Sequence, residues 1–106
     1  MASPPRPYLS IDEYIALERR LDGKYEHWRG EMYAMSGASG AHVVIQSNLM
    51  LQVGKRLEGT RCRALGSDLR VHIRASDLYT YPDVSIFCGM LVMDKHHSAT
   101  DPKVIF

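Results

Sequence analysis

Tyr79-Thr80-Tyr81-Pro82-Asp83-Val84-Ser85-Ile86-Phe87-Cys88-Gly89 is a β-prone run with one carboxylate set directly behind a proline. Pro82 has no amide hydrogen to give to a ladder, so it belongs among a strand's first residues or at a sheet edge. Val84, Ser85, Ile86, Phe87 and Cys88 then follow as the almost continuous run expected of a buried strand. Asp83 thereby stands where a solvated turn meets the core. A carboxylate in that place is either a turn residue accepting nearby backbone amides or a site ligand held on a rigid element.

Upstream of this stretch, Ala75-Ser76-Asp77-Leu78 makes a turn, so the preceding strand is expected to be its antiparallel neighbour. In that strand Asp68, Arg70, His72 and Arg74 alternate with Leu69, Val71 and Ile73, the pattern of a half-solvated ribbon whose charged face needs no ligand. Cys62 and Ala64 hold even positions, whereas Leu69, Val71 and Ile73 hold odd ones, which predicts a bulge or bend at Gly66-Ser67. Strands are expected near 61–74 and 80–88.

Further back, His42, Ile45, Leu49, Val53 and Leu57 recur at spacings of three and four and predict a helix over 41–57 whose apolar face packs on a sheet. His42, in its first turn, is either a satisfied core histidine or a group facing a cleft. The small residues of Ser36-Gly37-Ala38-Ser39-Gly40 offer N-caps for that helix. Before them, Lys24 to Trp28 and Glu31 to Met35 flank Arg29-Gly30, which suits a hairpin over 24–35. Ser10-Ile11-Asp12-Glu13 has the form of a capping box and opens a helix over 11–21, closed by Arg19, Arg20 and Gly23.

A length of 106 residues supports one domain. The charge of +1, from 13 basic and 12 acidic side chains, gives no bulk attraction to nucleic acid. No apolar run approaches the ~20 residues of a membrane span, so no membrane is expected as a partner. Cys62 and Cys88 are expected as free, buried thiols, which fits a reduced cytoplasmic protein. Residues 1–9, with prolines at Pro4, Pro5 and Pro7, are expected to form a loose arm ahead of a domain over 10–106. Lys95-His96-His97 lies on an irregular stretch, either exposed or, less simply, at a metal. The run Lys103-Val104-Ile105-Phe106 ends abruptly, so it is expected at a sheet edge, against a partner, or ahead of a continuation.

From about Ser10 to Phe106 the chain resembles the Uma family of candidate restriction endonucleases, within the PD-(D/E)XK nuclease superfamily. The resemblance rests on Tyr25-Glu26 followed by Gly30-Glu31-Met32-Tyr33, and on Met35-Ser36-Gly37-Ala38-Ser39 with His42. Asn48-Leu49, Ser67-Asp68, Tyr81-Pro82-Asp83-Val84 and Cys88-Gly89 complete it.

The resemblance implies an α+β fold: a restriction-endonuclease-like core of helix and mixed β-sheet, preceded by an N-terminal helix and hairpin. It implies a DNA substrate and Mg²⁺, for which Asp83 matches the first metal carboxylate, while Glu31, His42 and Asp68 match positions that recur in the family and line the same cleft. Family members continue past this point with a Glu-Val-Leu-Ser segment and then a further helix and strand, which bring the second acid and a basic residue. The expectation is therefore a Mg²⁺-dependent DNA endonuclease truncated at its C-terminus and inactive as 106 residues. The alternative is a non-catalytic fragment or remnant acting as an oligomerising interaction module. In either case Val104-Ile105-Phe106 is expected to pair with another copy as a homo-oligomer.

Overall fold

The computed structural model describes residues 8–106; residues 1–7, most of the expected arm, lie outside the described residues. In chain order the elements are α1 (Ile11–Arg20), β1 (Tyr25–Trp28), β2 (Glu31–Ala34), α2 (Gly40–Leu57), β3 (Cys62–Leu65), β4 (Val71–Ile73), β5 (Leu78–Thr80), β6 (Ser85–Cys88), β7 (Ala99–Thr100) and β8 (Val104–Ile105). The fold is α+β, with a mixed five-stranded sheet in the order β2-β1-β5-β4-β7 and a three-stranded sheet in the order β3-β6-β8.

Local signals explain the first elements. Ser10 Oγ accepts the Glu13 amide at 3.1 Å and Glu13 Oε1 accepts the Ser10 amide at 3.1 Å, which satisfies two donors left free at the start of α1. Arg29 and Gly30 both lie in the left-handed region, at φ 50° and 78°, the twist that a two-residue hairpin turn requires. β1 and β2 accordingly pair in register from Tyr25↔Ala34 to Trp28↔Glu31. Ser39 caps α2 by accepting the His42 amide.

The two long strands expected from the sequence are each divided between the two sheets. β3 lies in the small sheet and β4 in the large one, so the change of parity at Gly66-Ser67 is a crossing between sheets and not a bulge within one strand. The opening stretch makes the return crossing. β5 pairs with β4 in the large sheet (Val71↔Thr80, Ile73↔Leu78), whereas β6 pairs with β3 in the small one. Pro82, unable to donate to either ladder, sits in the link between them.

The core follows from this division. Tyr14, Ile15 and Tyr79 form one buried cluster between α1 and the large sheet. Val71 and Ala99 from the large sheet meet Phe87 from the small one in a second. Val84 and Ser85, at the start of the small-sheet strand, are wholly buried, as the almost continuous run suggested.

Other expectations are corrected. Arg70 and His72 are not on a solvated face: their side chains are 12% and 14% exposed. Arg70 instead pairs with the buried Glu18 of α1 at 2.9 Å and donates to Ser98 Oγ and the His96 carbonyl. His96 is likewise mostly buried, with Nε2 3.4 Å from Asp12. Cys62 and Cys88 are not free thiols but a disulfide. They oppose each other in β3 and β6, and the adjacent bond from the Gly89 amide to the Arg61 carbonyl makes theirs a non-hydrogen-bonded pair, where side chains approach most closely.

The face of α2 is corrected as well. It has no fully buried residue. Leu49, Val53 and Leu57 are half-buried against the small sheet, while Ile45 is 67% exposed together with Val43, Val44 and Leu51. Three short strands cannot cover a helix that is apolar on several sides. Among the described residues no helix is long and apolar enough to cross a membrane.

Candidate functional site

Asp83 lies in the link that carries the chain from β5 to β6, and three elements hold it. Its amide donates to the Phe106 carbonyl at 3.0 Å, while the Phe106 amide donates to the Val84 carbonyl at 2.8 Å, so the end of β8 fixes the link's backbone. Its own carbonyl accepts Gln46 Nε2 at 2.9 Å. Its carboxylate Oδ1 is 3.0 Å from His42 Nε2. His42 and Gln46 are four residues apart, one above the other on α2, which is why one helix face reaches both groups of Asp83.

An ionised carboxylate only accepts hydrogen bonds, so it is the imidazole Nε2 that carries the hydrogen in this contact. The two side chains are 45% and 42% exposed, enough to meet a ligand while held by each other. They face a cleft of about 870 Å³ whose walls include Lys24, Glu26, Gln46 and Tyr81 together with the loop from Met35 to Ser39. Glu26, on β1, accepts Thr80 Oγ1 at 2.5 Å, which turns its carboxylate along the large sheet. Tyr81 donates its hydroxyl to Glu18 at 2.7 Å. Burial first, and then Glu18, push that hydroxyl up to about 12, so it stays protonated and serves as an anchor rather than a base.

The sequence candidates fall in three places. Asp83 and His42, 41 positions apart, come together in the cleft. Asp68 lies on the rim: it is bonded to the cleft residue Lys24 at 2.9 Å, and Lys24 holds its carboxyl below the usual carboxylate range. Glu31 is on β2, outside the residues that line the cleft, and accepts the Tyr33 hydroxyl at 3.0 Å. Lys24, Glu26, Gln46 and Tyr81 were not singled out as site residues from the sequence. Gln46 was within reach, since it follows His42 by one helical turn, and Glu26 and Tyr81 stand in the very motifs that carried the resemblance.

Asp83 and Glu26 offer hard oxygen donors, the kind that Mg²⁺ takes one or two at a time while keeping water and substrate phosphate as its other ligands. Among the described residues no group of three or more His, Cys, Asp or Glu side chains converges as a metal cage, around Lys95-His96-His97 or elsewhere. The donor chemistry therefore fits an open Mg²⁺ site that substrate completes, and does not fit a closed one.

Residues 11–105 match the family described as Uma2, "Putative restriction endonuclease". The chain belongs to this family. Its relatives include the uncharacterized protein slr1290 of Synechocystis sp., 41% identical over 86 residues, a match that takes in 81% of this chain and 45% of that protein. The uncharacterized protein sll1609 of the same organism is 31% identical over 99 residues, covering 92% of this chain and 56% of its own. The crystal structure of a "putative nuclease belonging to DUF820" from Anabaena variabilis superposes with a TM-score of 0.63 at 21% identity, over 86% of this chain and 50% of that one. This likeness shows that the Uma2 chain has the same nuclease-like α+β fold. The chain spans about half the length of the relatives it matches.

Proposed function

We propose that this Uma2 chain carries part of a Mg²⁺-dependent DNA endonuclease site, with the phosphodiester bound in the cleft at Asp83. The observation that supports the reading best is the His42–Asp83 contact, which turns a backbone link pinned on both sides into a carboxylate presented to solvent at a fixed angle. Asp83 and Glu26 would hold the cation. When bound, Mg²⁺ supplies charge for the phosphate oxygens and lowers the pKa of a water. His42 keeps Asp83 oriented by donating its Nε2 hydrogen to Oδ1, while Gln46 fixes the Asp83 carbonyl.

The end of β8 extends the proposal. The Asp83 amide donates to the Phe106 carbonyl, so a residue joined to that carbonyl in a longer form would start close to Asp83. An acid there would stand near Asp83 and complete the site. The 106-residue chain by itself should then cleave too slowly to detect, since losing one group that stabilises the transition state costs ~10²–10³ in rate. Plasmid is incubated with Mg²⁺ or Mn²⁺ and either this chain, a longer form, or the longer form carrying Asp83→Ala. Nicking by the longer form alone is expected. Robust nicking by the short chain that survives Asp83→Ala would move the site elsewhere. A DNA substrate favours the cytoplasm for this reading.

A second reading has its own support. Val104 and Ile105 form an edge strand and are exposed with Phe106, as are Val43, Val44, Ile45 and Leu51 on α2. An uncovered apolar edge templates pairing, which favours an oligomerising, non-catalytic module. Light scattering that finds a monomer at high concentration would refute it.

A further inference from the structure

We propose that Lys24 binds a DNA phosphate at the mouth of the cleft and that Asp68 is the latch it leaves to do so, rather than a catalytic group. This rests on the reading of the cleft as a DNA site. Among the described residues that line the cleft, Lys24 is the sole lysine or arginine, and it shares the walls with the carboxylates of Glu26 and Asp83. A polyanion entering between two acids requires a compensating cation, and phosphate contacts by Lys and Arg supply most sequence-independent DNA affinity.

The ammonium of Lys24 has three partners of unequal permanence. It donates to the Ser67 carbonyl at 2.7 Å, which belongs to the backbone of the crossing between β3 and β4. It lies 5.5 Å from the ring centre of Tyr81, itself tied to Glu18. Its third partner, Asp68 Oδ1 at 2.9 Å, is on a wholly exposed side chain that bonds to nothing else among the described residues. An exposed ion pair of this kind is weakly held and readily exchanged. A phosphate oxygen can therefore take the place of Asp68 while the carbonyl and the ring keep the ammonium where it is. An ammonium has three donors, so the exchange needs no movement of β1.

The test measures anisotropy of a short fluorescein-labelled DNA duplex with the 106-residue chain in EDTA, over a series of salt concentrations. Lys24→Gln is expected to weaken binding about threefold to tenfold and to lower the salt slope by about one. Lys24→Arg retains binding. Asp68→Asn has the opposite sign and tightens binding, an effect that vanishes in the double variant. A purely structural pair would show both single variants weakening binding alike, and that result overturns the proposal. So does Lys24→Gln binding as the wild type does, which leaves the cleft's assignment to DNA intact. A wild-type chain that binds no duplex at any salt defeats the DNA reading itself, and this proposal with it. Should Lys24→Gln fail to fold, the sign of the Asp68→Asn effect decides.

Discussion

α1 has 10 residues and buries Tyr14 and Ile15, whereas α2 has 18 and buries none. Length does not decide which helix anchors the fold. α1 lies on the five-stranded sheet and sends Glu18 into a buried network with Arg70, Tyr81 and the Tyr25 backbone amide. α2 touches a three-stranded sheet and leaves Val43, Val44, Ile45 and Leu51 in solvent, yet it is α2 that brings His42 and Gln46 to Asp83. One region packs the core, and the other brings polar side chains to the cleft from a lightly packed element, as local stability often divides in proteins.

The largest effect is expected where the anchoring region holds its charges. Arg70→Ala leaves Glu18 buried without its ion-pair partner and should cost about 3–5 kcal/mol in denaturant unfolding. Leu51→Ser or Val44→Ser, on the open side of α2, should stay within about 0.5 kcal/mol of the wild type. Equal losses in the two sets would erase the contrast.

A smaller effect comes from alkaline titration. Tyr79 and Tyr81 are pushed up to about 12, chiefly by burial, and burial raises Tyr14 further. Unfolded tyrosines ionise near pH ~10. Because the folded values are the raised ones, their contribution is complete below pH ~10 and is lost as pH rises through the folded values. Thermal melts should therefore decline from about pH 10 to about 12, and Tyr81→Phe should flatten that decline. A melting temperature indifferent to pH in this window would count against the buried tyrosine network.

The smallest effects belong to the caps. Ser10→Ala should lower global stability by about 1 kcal/mol. Ser39→Ala should instead speed amide exchange in the first turns of α2 while barely shifting the global midpoint. Hydrogen exchange on both variants separates the two regions, and a uniform loss of protection would merge them.

How far the sequence disclosed this arrangement depended on distance along the chain. The capping box at Ser10, the Arg29-Gly30 turn and the period of α2 are local, and each appears within a residue or so of its expected place. The partition into two sheets is not local. The alternation changes parity at Gly66-Ser67, and a bend within a strand and a departure to another sheet produce the same change. Arg70 looked solvated because its partner, Glu18, is 52 positions away. The disulfide depended on a register between β3 and β6 that composition does not specify. Asp83 was legible from the proline before it and the buried strand after it, and His42 from the resemblance. The surroundings of Lys24 were not, because the Ser67 carbonyl and the Tyr81 ring are brought to it by the crossings between sheets.

The most direct test of the central claim, that the Asp83–His42 cleft receives the divalent cation, is paramagnetic broadening by Mn²⁺ in the ¹⁵N-labelled chain. At millimolar Mn²⁺ the amides of Glu26, His42 and Asp83 should broaden first, and Asp83→Ala should abolish the effect while leaving the other amide shifts in place. Broadening centred on Lys95-His96-His97, or broadening around the cleft that persists in Asp83→Ala, would contradict the claim.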